Sequence, residues 1–377
     1  MSGAATADDR AWGWVDHLVA GGTTPWADWA EAGPPRDRQL PGAQHLEVLR
    51  RLNLVRPASP GLAGTVLSTS GAGRGQQDLD LVGVRERAAF GARPVDPAEV
   101  SVEELCRIAA GALADLVLAA PSLPAQDPVR TPRPRLRRTR YRLVGDPLLG
   151  AAYRRQLVAQ GRPPGGRSPR VLLLLTDYAS YLADVWSSQA RRGNGLGWAG
   201  WLDQFVGQSV VPPRVDVLAL AELWGRRVGV RRVHPVFGAA EVAKIAGGDV
   251  RAPHRLSWAA LEAVRETSTA LRVAVPEPER RSRIAETLLP WLRAVDDGTL
   301  AAPVVPERHH DWVRAEAVRV RDGLLAAGYP VPEGGLDRLL PDLTAPRGEP
   351  GDPMNDEQDD GKVLGVMMKA LHRGATR

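Results

Sequence analysis

The sequence predicts a layered α/β domain with a parallel sheet, preceded by a mostly helical N-terminal region. Three observations indicate this fold class. Helical periodicity dominates residues 1–120, short apolar runs alternate with helical segments from residue 140 onward, and a proline- and arginine-rich stretch separates the two parts. Regular alternation of strands and helices is typical of a parallel sheet covered by helices.

The composition excludes several protein classes. With 377 residues, 44% hydrophobic and 25% charged, the chain is neither a disordered tail, a collagen-like chain nor a disulfide scaffold. Its single cysteine, Cys106, cannot form an intramolecular disulfide or a thiolate metal cage. No apolar run approaches the roughly 20 residues that cross a bilayer, and the N-terminus lacks a signal-peptide pattern. We therefore expect a cytoplasmic protein without a membrane span.

The N-terminal region, residues 1–120, ends in its clearest helix. Ser101 and Glu104 have the spacing of a capping box, and apolar residues then recur at helical spacing from Leu105 to Val117. Residues 121–139 follow as a predicted extended linker, because this stretch is rich in proline and arginine.

The positive charge of the chain is local. Seven arginines and no acid lie between Arg130 and Arg142, while the net charge of the whole chain is only +5. A solvated linker is one interpretation of this run. Contact with phosphate or nucleic acid is the other, although a single aromatic residue, Tyr141, accompanies the arginines.

Residues 140–345 carry the alternating pattern. Strands are predicted at 142–145, 171–175 and 230–237. Helices are predicted at 151–160, 181–191, 217–228, 258–272, 281–293 and 312–327. The run at 171–175 is continuously apolar, which is typical of a parallel strand buried on both faces.

The C-terminal tail divides into two segments. Residues 346–361 carry six acids against one arginine and are predicted to be a disordered linker. Residues 362–377 form a predicted amphipathic helix, with Val363, Leu364, Met367, Met368 and Leu371 on one face. Because a helix of this length is marginal alone, this face must dock on its own chain or on a partner protein through residues 363–371.

A short echo links two distant segments. Trp26 and Trp29 follow a glycine-containing turn, as Trp198 and Trp201 do later in the chain. Packing of aromatic side chains explains this pattern, and an internal repeat is the alternative.

Most familiar catalytic motifs are missing from the sequence. There is no nucleophile elbow, no Walker loop and no dinucleotide-binding glycine fingerprint. His309 and His310 are adjacent and cannot share one helix face, so no metal site is predicted. Ligands of open α/β sheets bind at the carboxyl ends of strands. The candidate loops are therefore Gly145-Asp146 and Thr176-Asp177.

Three segments resemble the bacterial sulfotransferase family. They are VGDPLLGAAYRRQLVAQGRPPG at 144–165, LTDYASYLADVWSSQARRGNGLGWAGWL at 175–202 and LAELWGRRVGVRRVHPVF at 220–237. The resemblance lies in the order and spacing of the motifs over about residues 140 to 275. It implies a three-layer, P-loop-like α/β fold and the donor 3′-phosphoadenylyl sulfate.

The donor-binding residues of that family are replaced. Its lysine and hydroxyl residues, which cradle the phosphosulfate, fall on residues 148–152, where only Gly150 matches. Its arginine and serine for the 3′-phosphate fall on Thr176 and Asp184, and Asp184 would repel a phosphate. The residues that hold the shape of the fold remain, namely Tyr153, Asp177, Trp186 and Gly193.

The resemblance and the strand ends together define a candidate ligand site. Its residues are Arg142, Gly145, Asp146, Gly150, Arg154, Thr176 and Arg191. The helix N-terminus at Gly150 would present backbone N–H groups to an anion, and the arginines would compensate in part for the missing lysine. Asp177 and His234 are the candidates for a catalytic base.

Three functions follow as alternatives. The leading prediction is a sulfotransferase-like protein that is degenerate at the donor site and acts by binding or recruiting, beside enzymes of surface-glycan modification as the family's usual role implies. The second is a divergent transferase using an anionic nucleotide donor. The third is a phosphate or nucleic-acid binding module that uses the arginine run, which a steep salt dependence of binding would identify.

Overall fold

The computed structural model describes thirteen ranges of the chain. They are 6–34, 36–37, 39–70, 79–84, 93–121, 141–166, 168–193, 196–206, 211, 215–296, 303–331, 334–343 and 356–376, the last with side chains from residue 360 onward. Within these ranges the chain is mostly helical and contains two small parallel sheets, which is an α/β mixture as predicted. Residues 122–140, which hold most of the predicted linker and arginine run, lie outside them.

The N-terminal region is mostly helical, as its periodicity predicted. Its elements are α1 (Ala7–Val19), α2 (Ala43–Val55), α3 (Pro60–Ser68), β1 (Asp80–Leu81), β2 (Pro94–Val95) and α4 (Val102–Ala119). The Ser101 side chain accepts the Glu104 N–H at 3.3 Å and so caps α4. The Glu104 carboxylate pairs with Arg107 in the next turn.

The central part contains a three-stranded parallel sheet. Its elements are β3 (Tyr141–Gly145), α5 (Pro147–Ala159), β4 (Arg170–Leu174), α6 (Tyr178–Ala190), α7 (Trp198–Val206), α8 (Val217–Val228), β5 (Val233–Val236) and α9 (Ala239–Ala246). The strand order is β3-β4-β5, so the apolar β4 lies in the centre. Strand β5 contains Pro235 and lies at an edge, where a missing N–H is tolerated.

Both faces of the central sheet are covered. On one face Leu143, Leu172 and Leu174 pack with α5 and α9 in one hydrophobic cluster. On the other face Val171 and Leu173 join a larger cluster that also includes side chains of α6 and α8. Burial on both faces explains why β4 is continuously apolar.

The remaining helices follow the sheet. They are α10 (Trp258–Ala274), α11 (Glu277–Arg283), α12 (Leu289–Val295), α13 (His310–Ala326) and α14 (Asp356–Ala375). A π-helical segment, Ile284–Leu288, joins α11 to α12. Pro290 lies two residues after this segment, and the wider turn accommodates a residue that cannot donate to the helical ladder.

Helix α14 begins earlier than predicted and is buried against its own chain. It starts at Asp356, so residues 356–361 are helical and their assignment to a disordered linker is wrong. Its apolar face, including Leu364, Met367 and Leu371, belongs to the same cluster as α1, α4 and α10. The surface 363–371 is therefore filled by this chain and is not open to a partner protein.

Two turns show the same tryptophan arrangement. Trp14 and Trp26 have ring centroids 5.4 Å apart, and Trp186 and Trp198 have centroids 5.6 Å apart. The indole N–H of the first tryptophan donates to a backbone carbonyl two residues before the second, Thr24 in one turn and Leu196 in the other. The echo in the sequence is thus a repeated local structure.

Candidate functional site

The carboxyl ends of β3 and β4 meet at one edge of the central sheet. Gly145 pairs with Leu174, and the Asp146 N–H donates to the Leu174 carbonyl at 3.1 Å. Gly145 has a φ of +95°, and a Cβ atom there would lie 2.4 Å from the Leu174 carbonyl oxygen. Only glycine fits this position, which turns the chain from β3 into α5.

The side chain of Asp146 fills the N-terminus of α5. Its Oδ1 accepts the N–H groups of Leu148 and Leu149, both at 2.9 Å. Its carbonyl accepts the N–H of Gly150 at 2.9 Å, and Pro147 has no N–H. Every donor of the first turn is thus absent or occupied. The expectation that the helix N-terminus at Gly150 presents N–H groups to an anion is wrong.

Asp146 and Asp184 form a buried acid pair. The two residues are 1% and 2% exposed, and their carboxyl groups lie within hydrogen-bonding reach of each other. Burial raises the pKa of Asp146 well above its usual range, and the neighbouring Asp184 raises it further. Two adjacent buried carboxyl groups disfavour each other's ionisation, so the raised pKa of Asp146 favours its protonated form, whose O–H can donate a hydrogen bond to Asp184.

Arg255 balances the charge of Asp184. Its Nε lies 3.0 and 3.1 Å from the two carboxylate oxygens, and its Nη2 lies 2.5 Å from Oδ2. This fork-like contact is the geometry in which arginine binds a carboxylate most strongly. The side chain of Arg255 is 40% exposed, whereas that of Asp184 is 3% exposed. The guanidinium group thus covers the acid pair on its solvent side.

Two tyrosines lie against the same acid pair. Burial raises the pKa of Tyr153 and of Tyr181, and the proximity of Asp146 adds to the effect in both. The place where a donor phosphosulfate would bind in the resembled family therefore holds a protein carboxyl group, closed in by aromatic side chains and an arginine.

The residues of the loop after β4 mainly have structural roles. The Oδ1 atom of Asp177 accepts the Ser180 N–H at 2.9 Å and caps α6. The hydroxyl group of Thr176 is buried and has no hydrogen-bond partner within the described ranges. Both residues lie at the predicted edge, one as a helix cap and one as an unpaired polar group beside it.

His234 lies away from this edge. It pairs with Leu172 in the middle of β4, not with the last strand residue. Burial lowers the pKa of His234, and Arg170 at the amino end of β4 lowers it further. The structure therefore places this candidate base towards the opposite end of the sheet from Asp177.

Two of the predicted arginines also lie elsewhere. The guanidinium of Arg142 lies 5.7 Å from the ring centroid of Trp224 on α8, which Arg227 also contacts at 5.5 Å. Arg154 is exposed on α5 and is close enough to Tyr141, at the start of β3, to influence its pKa. Neither side chain compensates for the lysine that is missing at the α5 N-terminus.

Arg191 is the predicted ligand residue with the most unusual surroundings. It ends α6, and its Nε is buried without a hydrogen-bond partner among the described residues. Burial lowers its pKa to about 10, and Arg293 and Arg155 lower it as well. The carboxylate that acts favourably on Arg191, that of Asp184, is already paired with Arg255.

The partner of Asp184 was not predictable from the sequence. Arg255 lies 71 residues away in the chain and belongs to no recognisable motif. The only available signal was the presence of an acid at a position where a phosphate-binding residue was expected. A buried acid implies a buried cation, but the sequence does not show which one.

A cavity of about 440 Å³ lies between α4, α7, α10 and α14, away from the sheet edge. Five acids and two arginines line it, together with Trp198, Trp258 and Cys106. Its arginines are paired with its own acids, as Arg265 is with Glu262 and Glu266. Among the described residues no group of three or more His, Cys, Asp or Glu side chains is placed to hold a metal ion.

Comparison with known proteins gives no assignment. No family model, no curated protein and no solved structure matches the chain. In the described part of the chain no helix is sufficiently long and apolar to cross a membrane.

Proposed function

We propose that this chain is a sulfotransferase-like protein with a three-layer α/β fold that has lost its donor cradle and acts by binding. The fold proposal is supported by the parallel β3-β4-β5 sheet and by the separate hydrophobic clusters on its two faces. The role in recruitment beside glycan-modifying enzymes rests on the resemblance alone.

One observation supports the proposed loss of the donor-binding site. The Asp146 carboxyl group occupies the two N–H groups at the start of α5 to which a donor phosphate would bind. In P-loop-like folds these N–H groups are the main anion-binding feature of a helix N-terminus. A phosphosulfate would have to displace a buried side chain and break two hydrogen bonds, next to the negative charge of Asp184.

Titration with 3′-phosphoadenosine 5′-phosphate, the desulfated donor, tests this proposal. We expect no heat from binding at the α5 N-terminus up to millimolar nucleotide. Ala151→Glu adds a charge at an exposed position just after the first turn of α5, and Ala159→Glu adds the same charge at its exposed last residue. Micromolar binding that Ala151→Glu abolishes and Ala159→Glu preserves would show a working cradle and refute the proposal.

A divergent transferase is the second candidate, because the pKa of Asp146, at a strand end, is raised. A raised pKa in a carboxyl group is typical of a general acid. Transfer activity with an anionic nucleotide donor that is lost in Asp146→Asn would favour this function. The nucleic-acid alternative stays a prediction, since all of its arginines except Arg142 lie outside the described ranges.

A further inference from the structure

Three arginines without carboxylate partners are linked to the turn that ends α6 at Arg191. Arg280 lies close to Gly193, and Arg155 and Arg293 influence the pKa of Arg191. Arg191 lies in this turn, Arg155 on α5, Arg280 on α11 and Arg293 on α12. Across the described ranges none of these four takes part in an ion pair. The buried faces of the protein elsewhere pair their arginines, as Arg255 is paired with Asp184.

The inner half of this arginine cluster lies beneath Gly193. A Cβ atom on Gly193 would lie 1.7 Å from the Ser268 hydroxyl and 3.0 Å from Arg280 Nε, so both groups crowd the same backbone position. Arg280 is only 4% exposed, and neither its Nε nor the Ser268 hydroxyl has a hydrogen-bond partner among the described residues. An unpaired guanidinium this deeply buried is a costly arrangement unless a counter-charge binds nearby.

The outer half faces solvent. Arg155 and Arg293 are exposed, while the Nε of Arg191 is buried. Burial lowers the pKa of Arg293, and the proximity of Arg155 lowers it further. The same two arginines act on Arg191, so the three groups lie close together. The cluster therefore contains exposed and buried guanidinium groups.

Two negative features near the cluster do not balance its positive charge. The carboxyl end of α6 carries a partial negative charge, but a helix dipole supplies only about half an elementary charge there. Asp184 attracts Arg191, yet Arg255 already engages both of its carboxylate oxygens. Neither feature balances four guanidinium groups.

We infer that the turn at residues 191–193, with Arg155, Arg280 and Arg293, binds a tetrahedral dianion, a phosphate or sulfate group that is either free or part of an ester. Arginine forks match the oxygens of such groups, and the Ser268 hydroxyl supplies a further donor. This inference deepens the proposed binding role and rests on it for the absence of group transfer. Its residues are distinct from those at the α5 N-terminus.

Titration calorimetry and thermal unfolding with inorganic phosphate and with sulfate test this site against chloride at equal ionic strength. We expect saturable binding and a rise in Tm that chloride does not give. Removing one guanidinium should weaken binding about ten- to a hundred-fold, because charge-assisted hydrogen bonds are lost. Arg155→Gln and Arg293→Gln test this at exposed positions that folding tolerates.

A matched control exists next to one of the variants. Arg154 adjoins Arg155 on α5 and is also exposed, so Arg154→Gln removes the same charge from a neighbouring position outside the proposed site. The inference predicts near-normal affinity in this control. Equal losses in Arg155→Gln and Arg154→Gln, or a Tm rise that chloride reproduces, would overturn it.

A second titration, with the phosphate ester 3′-phosphoadenosine 5′-phosphate, distinguishes a bound ester from a free ion. Tighter binding than inorganic phosphate, weakened by Arg155→Gln, would identify an ester as the ligand, whereas equal affinities would identify the free ion. Nucleotide binding that survives Arg155→Gln and Arg293→Gln but fails in Ala151→Glu would contradict the proposed function. Phosphate binding at the arginine cluster would be untouched by that result, so the two proposals fail separately.

Discussion

Replacing Asp146 with asparagine tests whether this buried residue is a neutral acid. In the native protein the Asp146 Oδ1 accepts two backbone N–H groups, and the carboxyl group lies within hydrogen-bonding reach of Asp184. Asparagine reproduces both contacts, because its oxygen accepts and its amide donates to the Asp184 carboxylate. The substitution therefore imitates the protonated state and removes the ability to ionise.

The effect on stability depends on pH in a defined direction. Asp146 has a pKa of 3.8 when unperturbed and a higher one in the folded protein. Its contribution to stability is fully present below the unfolded pKa and is lost as the pH rises towards the folded pKa. Each unit of elevation corresponds to about 1.4 kcal/mol. We expect Asp146→Asn to match the wild type near pH 4 and to exceed its unfolding free energy by roughly 1–3 kcal/mol at pH 8.

Urea denaturation at a series of pH values measures this difference. Asp216→Asn serves as a control, since Asp216 caps α8 through the Ala219 N–H and is a partly exposed cap with an ion pair to Arg319. That variant should lose less than about 1 kcal/mol and should not gain stability with pH. If Asp146→Asn is less stable than the wild type at pH 8, or if the difference does not change with pH, Asp146 is ionised and the reasoning fails.

Three further predictions concern other buried groups. Asp184→Asn should lower the unfolding free energy by about 1–3 kcal/mol in urea denaturation, because it removes the partner of Arg255, whose partial exposure moderates the loss. Leu371→Ala should cost about 2–5 kcal/mol, since this side chain is fully buried in the core, whereas Arg373→Ala on the exposed side of α14 should leave Tm nearly unchanged. Burial lowers the pKa of His372 from 6.5, so stability is present above that pH and falls as the pH drops below it; His372→Gln should flatten this dependence in thermal unfolding.

Local patterns predicted the elements well where the sequence contains their physical cause. The continuous apolar run of β4 and the periodicity of α8 located both elements to within a residue of their ends. The start of α5 was placed four residues late, although Asp146 followed by Pro147 is a strong N-terminal signal. Gly145-Asp146 was expected to be a ligand-binding loop, whereas Asp146 is the N-cap of α5.

The sequence predicted where the candidate site lies, but not which side chains form it. The rule that ligands bind at strand ends located Asp146 and Thr176 at one edge of the sheet, and the structure brings them there. Arg142, Arg154 and His234 were chosen by charge or by chemistry alone, and each lies against a different neighbour. Side-chain direction depends on packing with residues far away in the chain, which no local pattern contains.

The two tryptophan turns show how a weak sequence echo can report a real physical constraint. A buried indole must find an acceptor for its N–H, and a carbonyl in the following turn satisfies this need in both places. The second tryptophan then packs on the first at nearly the same distance and tilt. In the second turn Trp186 and Trp198 lie on either side of residues 191–193 in the chain. The anion site that we propose therefore uses a turn whose flanking tryptophans pack on each other, and support of this kind is what a preorganised site requires.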